Sequence, residues 1–386
     1  MKNPIRRTQI AALTRLGLCL LCALLAPAQE SPSIDEPQTS FITFDVPAGG
    51  SGIYRGTYAL GINNAKTVTG YYIDSKNVYH GFLRTADGVI TTFDAPGAGG
   101  QAYYGTYPYS INTAGDISGW YLDNAGENHA FLRAADGKIT TFEVSGAGKG
   151  AFQGTGGMVY GPLSINTAGE IAGYYTDANY AFHGFVRTAA GKTTGFEASG
   201  AGNGNGEGTG ALAINSGGAT TGTFLDTSYV YHGVVRSSSG AITRFDAAGA
   251  GKAAFEGTGG IGINTAGVIA GLYLDTKKIC HGFVRAANGT ITEFNASGAG
   301  KAASYQGTVP ISINTAGTIA GTYVDAKYVD HGFVRTAAGA ITAFNVPGAG
   351  KAAGQGTGGV SINTAGDIAG FYRDSKTATH GFILTH

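Results

Sequence analysis

Seven aspartates are each followed, six residues on, by a histidine. The pairs are Asp74 with His80, Asp123 with His129, Asp177 with His183, Asp226 with His232, Asp275 with His281, Asp325 with His331 and Asp374 with His380. A carboxylate beside an imidazole can serve as a general base or offer two metal ligands. If each pair spans a hairpin, a second group faces the histidine from the following strand. That group is Asp94 for His80, then Glu143, Glu197 and Asp246, but Asn295 and Asn345 for the fifth and sixth histidines. One His and one Asp per repeat are too few for a tight metal site. Presence in all seven repeats points instead to a pin that holds each unit together. No catalytic residue, no metal and no cofactor is therefore assigned, and a unique site should break the sevenfold pattern.

The elements that carry these pairs follow from the repeat. An Ile-Asn dipeptide recurs with its Asn at 63, 112, 166, 215, 264, 314 and 363. A Phe stands thirteen residues after each of the first six histidines, at 93, 142, 196, 245, 294 and 344. Each unit reads as four short strands of β-branched and aromatic residues, as in "SIN", "IAGxYxD", "HGFVR" and "AITAF". The "NTAG" turns put Asn first and Gly fourth, where Gly takes a positive φ. In the first unit Lys66 replaces that glycine, at about 1 kcal/mol if the conformation is kept. Repeats of this length made only of strands predict an all-β, seven-bladed β-propeller with four-stranded antiparallel blades. The last unit lacks a fourth strand, and "FITFDVP", with Phe44 in the repeated position, is expected to supply it and close the ring. The domain so defined runs from 41 to 386.

These residues resemble a known family. The His-Gly/Ala-Phe motif followed by "GxITxFDxPGA", "GT" and "INxxGxIxGxY" is similar to the bacterial extracellular HAF-family repeats, and "HAFLRAADG" at 129–137 carries the name motif. The resemblance covers about residues 41–386 and implies secretion and repetition.

The N-terminus agrees with export. Lys2, Arg6, Arg7 and Arg15 precede an apolar run from Leu16 to Ala26 and an Ala-Pro-Ala site, which reads as a signal peptide over 1–28. The run is too short to span a bilayer of roughly 20 helical residues. Residues 29–40 read as a flexible leader. The expected location is secreted or periplasmic. Cleavage leaves 21 basic against 25 acidic residues, a net of −4, and nothing in that balance suggests nucleic acid or an anionic membrane. It also leaves Cys280 as the one cysteine, so stability must come from packing, as a monomer.

Departures from the repeat mark the candidate site. Tyr103, Tyr104, Tyr107 and Tyr109 crowd the loop of the second unit, where the first has Tyr54 and Tyr58. An insertion at 158–162 adds Met158 and Tyr160, and Trp120 lies nearby. Tyrosines on one face suit stacking on sugar rings or packing on a protein. Tyr54, Tyr58, Tyr103, Tyr104, Tyr107 and Tyr160 are the ligand-binding candidates. The leading expectation is a non-catalytic binding propeller for a glycan or surface protein. The alternatives are a lyase or hydrolase using a His/acid pair of one blade, and a structural envelope component. The Arg four residues after each of the first six histidines, from Arg84 to Arg335, is expected to pair with polar groups across its blade.

Overall fold

The computed structural model describes residues 40–157 and 161–385. The expected signal peptide, nearly all of the leader, and Tyr160 lie outside them. In the first unit the strands are Gly56–Ile62, Val68–Ile73, Tyr79–Arg84 and Ile90–Phe93, each antiparallel to the one before. The pattern recurs to Gly356–Ile362, Ile368–Arg373 and Thr379–Thr385. Ser40–Phe44 lies antiparallel on Thr379–Thr385, with Phe44 opposite Gly381. In the third unit the extra residues split the first strand into Gly154–Thr155 and Ser164–Ile165.

The expected seven-bladed propeller of four-stranded blades is corrected here. Separate blades do not form; the described strands make one sheet of 29. The third strand of each unit pairs in parallel with the first strand of the next, as Tyr79 with Gly105, Phe182 with Gly208 and Tyr231 with Gly257. Thr379 pairs with Gly56 in the same way and closes the circuit. The result is a closed mixed barrel of 21 strands, with the fourth strands attached outside it. The cause is the glycine that opens each first strand. At Gly257 φ is +118°, and a Cβ would lie 2.1 Å from the carbonyl oxygen of Tyr231. Only a residue without a side chain lets the two backbones meet.

The Thr that follows each of these glycines is buried, and its hydroxyl accepts an N–H from the loop that enters the unit. Val46 N–H donates to Thr57 Oγ1 at 2.9 Å, and Ala247 N–H to Thr258 Oγ1 at 3.0 Å. The core lies between neighbouring units. The fourth-strand Phe of one unit meets the third-strand Phe of the next edge-on, as Phe93 with Phe131 at 6.2 Å and Phe294 with Phe333 at 6.1 Å.

The seven asparagines do more than make turns. Each Oδ1 accepts N–H groups of its own turn, as Asn63 does from Ala65 and Thr67. Each Nδ2 donates to the Asn carbonyl of the next unit, at 2.9–3.3 Å. Asn363 donates to Asn63, so the seven bonds form a complete circle around the axis. Lys66 keeps the glycine-like conformation, with φ +59°. Its Nζ reaches Asp367 Oδ1 at 3.1 Å, across the seam between the first and last units. That buried partner offsets the backbone cost.

Candidate functional site

The loop between strands two and three of each unit meets the loop that enters the next unit on one face of the ring. Tyr103 N–H donates to Asn77 O and Phe255 N–H to Tyr229 O. The seven Asp/His pairs sit just beneath this face. Each Asp holds its own loop, as Asp74 Oδ1 accepts from Lys76 and Val78 N–H at 2.8 Å. Six of the His rings stack flat on a Tyr of strand two, from Tyr72 with His80 at 5.0 Å to Tyr323 with His331 at 4.7 Å, and His232 lies tilted on Phe224 at 4.9 Å. The partners counted from sequence are the ones found. His80 Nδ1 is 2.9 Å from Asp94, His129 2.6 Å from Glu143 and His232 2.8 Å from Asp246, while His183 bonds Glu197. His281 and His331 meet Asn295 and Asn345. His380 meets Asp45, from the other end of the chain, at 3.0 Å. The Nε2 atoms stand 3.4–3.8 Å from the Asp of the pair.

Hydrogen bonds to Asp94, Glu143, Glu197 and Asp45 raise the pKa of His80, His129, His183 and His380. Asp330, half-buried between the last two units, is pushed up to about 6 by desolvation, against the pull of Arg373. All five groups bind protons more tightly when folded, so their contribution is present at low pH and lost as pH rises. Asp330 acts between the ordinary carboxylate range and about pH 6, and the histidines act above about pH 6. Asp226, Asp246, Asp275 and Asp325 run the other way. Burial pushes these carboxyls up, but hydrogen bonds and the facing His hold them below their usual range. Their contribution is lost as pH falls through that depressed range. Thermal stability is expected to peak near pH 5 and fall toward pH 8. Scanning calorimetry of the protein and of Glu143→Gln checks this; an unchanged slope in the variant would refute the role given to His129.

The arginines depart from expectation. Each guanidinium lies over the fourth-strand Phe of the preceding unit, at 4.6–5.2 Å, not across its own unit. One N–H reaches the next residue's carbonyl, as Arg84 Nη1 to Thr85 O at 3.1 Å. Cation–π packing therefore explains why Arg and Phe recur together. Where Leu384 replaces Arg, Phe41 packs on Phe344 at 6.2 Å.

The tyrosine candidates divide. Tyr58 and Tyr107 are corrected to core residues, at 3% and 1% exposure. They point inward from the first strands, where Tyr58 stacks on Tyr71 and Tyr107 on Trp120 at 4.0 Å. Trp120 is fully buried. Tyr104 is half-buried against the same cluster. Tyr54 and Tyr103 remain on the face, at 39% and 64% exposure. Sequence reasoning missed their equivalents. The position of Tyr54 and Tyr103 is held by Phe152, Phe255 and Tyr305 in other units, and all five have φ between +57° and +71°. Phe152 is 54% exposed. Where this position is Gly206 or Gly354, the partner loop carries Tyr180 or Tyr328. So every junction between units carries an aromatic residue, exposed in three of them and half-buried at Phe255, Tyr305, Tyr180 and Tyr328. The signal was an aromatic two residues before the recurring "GT", legible once all seven loops are aligned.

The Asp/His pair of the fourth unit differs from the other six in its surroundings. A cavity of 490 Å³ opens beside His232, lined by Asp226, Asp246, Arg244 and Lys252 among others. Arg244 Nε bonds Asp246 Oδ2 at 2.8 Å. His232 is the most shielded of the seven, its side chain 8% exposed against 18–24% for the rest. In the second unit Asp123, Glu127 and His129 place ligand atoms within 4.8 Å of one another, the group among the described residues that could hold a cation. No helix among the described residues is long and apolar enough to cross a membrane.

No family model matches the chain, and no curated protein matches it in sequence. Solved structures do. The chain is similar to the BP39L lectin of Burkholderia pseudomallei, with TM-score 0.54 and 7% identity, over 86% of this chain and 96% of the lectin. It is similar to a prolyl endopeptidase, with TM-score 0.51 and 11% identity, over 95% of this chain but 48% of that one. The Aleuria aurantia lectin, in complex with Fucα1-6GlcNAc, gives TM-score 0.45 and 14% identity over 76% and 96%. At these identities the likeness is one of fold: an all-β, propeller-like ring of repeats.

Proposed function

We propose that the protein is an exported glycan-binding protein whose loop face carries repeated sugar contacts. One observation supports this above the others: each of the seven junctions carries an aromatic residue at that face, exposed at Tyr54, Tyr103 and Phe152 and half-buried at the other four. Aromatic rings held by a rigid scaffold offer flat apolar area to the C–H face of a sugar at low entropic cost. Repetition around a ring multiplies weak contacts into avidity for polymeric or surface-bound glycans. The fold likeness to the BP39L lectin supports the same reading. The cavity beside His232 would add one enclosed subsite, since Asp226, Asp246 and Arg244 can hydrogen-bond hydroxyls there. That cavity is also what favours the enzyme alternative, with His232 as base.

A single experiment separates these readings. The purified protein is applied to a glycan array, alongside Tyr103→Ala with Phe152→Ala, and alongside His232→Ala. Binding to a glycan class, weakened at least tenfold by the double variant, is the expected outcome. Both rings are exposed, so the double variant should keep its melting temperature. Absence of binding to any glycan would sink the proposal. Cleavage products from a bound glycan, lost only in His232→Ala, would establish the enzyme.

A further inference from the structure

The axis of the ring holds two adjoining spaces that the loop face does not use. One is a cavity of 310 Å³ among the first strands, walled by residues such as Leu60, Leu212, Ile261, Val309 and Ile311. Among the described residues no charged side chain lines it. Its serines are already engaged, as Ser110 Oγ accepts Ile165 N–H and Ser312 Oγ accepts Ile362 N–H. The second, of 240 Å³, lies toward the Asn ring and is bordered by Asn64, Thr113, Ser216 and Thr265, again without a charge. Ile62, Ile111, Ile214, Ile263 and Ile313 line both, so the two spaces adjoin at this layer of isoleucines. The axis thus runs from an apolar chamber to a neutral rim of hydroxyls and amides at the tight-turn face.

We infer that this axis binds a neutral amphiphile with a medium-length hydrocarbon tail. The chamber is roughly twice the ~150 Å³ apolar cavity that stays dry and admits benzene, which suits a tail of about ten carbons. An apolar chamber offers water too few hydrogen-bonding partners, so a hydrocarbon displaces nothing well held. The rim supplies donors and acceptors to a hydroxyl or amide head. A charged head would be desolvated there without a counter-charge. The site is independent of the loop face, so it stands or falls apart from the glycan reading.

The probe is 1-decanol, titrated into the purified protein by calorimetry. Trp120 gives a second readout, because it stacks 6.5 Å from Tyr109, which lies on the chamber wall. One saturable site per chain is expected. Ile261→Trp and Leu60→Trp each fill the chamber and should weaken binding at least tenfold by calorimetry. Two positions are used so that a variant that fails to fold can be set aside for the other. Decyl sulfate should bind at least tenfold more weakly than decanol. Absence of saturable uptake, unchanged affinity in a filled variant that retains its melting temperature, or equal binding of decyl sulfate would overturn the inference.

Discussion

A chain lacking residues 1–45 is expected to lose most of its stability and to aggregate through the strand Thr379–Thr385. Five residues of Ser40–Phe44 pair with that strand, from Ser40 with Thr385 to Phe44 with Gly381. Phe44 lies beneath the Arg84 guanidinium at 5.0 Å and edge-on to Phe82 at 6.0 Å. Phe41 packs on Phe344 and Phe382, each at 6.2 Å. Asp45 holds His380. Losing two packed phenylalanines alone costs roughly 3–6 kcal/mol, a large part of the stability of most domains. The exposed edge would then recruit strands from other chains. Thermal unfolding and light scattering check this. A synthetic peptide of residues 38–48 should restore the melting temperature, since strand addition needs main-chain pairing and two side-chain pockets. A melting temperature equal to that of the intact protein would refute the role of this strand.

Gly257→Ala is expected to cost about 3 kcal/mol or more, although it adds one methyl group. That methyl would sit 2.1 Å from Tyr231 O, and φ of +118° is strained for any L side chain. The neighbour is backbone, so nothing rotates away, and the joint between the fourth and fifth units must open. Gly100→Ala is the control. A Cβ there meets nothing within 4 Å, so its effect should stay within about 0.5 kcal/mol. Denaturant unfolding of both variants measures the contrast. Equal stabilities would show that the parallel joints carry no load.

The parts of the molecule legible in its sequence are those governed by contacts within a unit. Constant spacings among Asp, His and Phe fixed the hairpins, so Asp94, Glu143 and even Asn295 could be placed beside their histidines by counting. Lys66 was legible because a turn leaves a fixed place for glycine. What crossed from one unit to the next was hidden. The parallel joints depend on a φ angle at a glycine whose surroundings read as a loop. The Asn ring was hidden because one amide serves its own turn and its neighbour at once. Arg and Phe recur together, but nothing in their spacing says that they belong to adjacent units. Tyr58 and Tyr107 read as surface residues because they stand in glycine-rich loops. Their strands in fact begin at Gly56 and Gly105, so both rings stand on first strands and turn to the core. Tyr54 and Tyr103 stand four residues earlier, where the chain is still at the surface.

The Asn circle bears on how such a gene can evolve. Seven amides each reach one neighbour at 2.9–3.3 Å, and the last reaches the first. Unequal recombination between near-identical repeats readily adds or deletes a copy. Here a six- or eight-copy product would have to change the angle at every joint to rejoin its ends, straining all the amide bonds together. The closed circle thereby ties the geometry of every joint to a count of seven, while the loops can vary in length without touching it. The loops are where the five-residue insertion of the third unit and the differing aromatic positions are found.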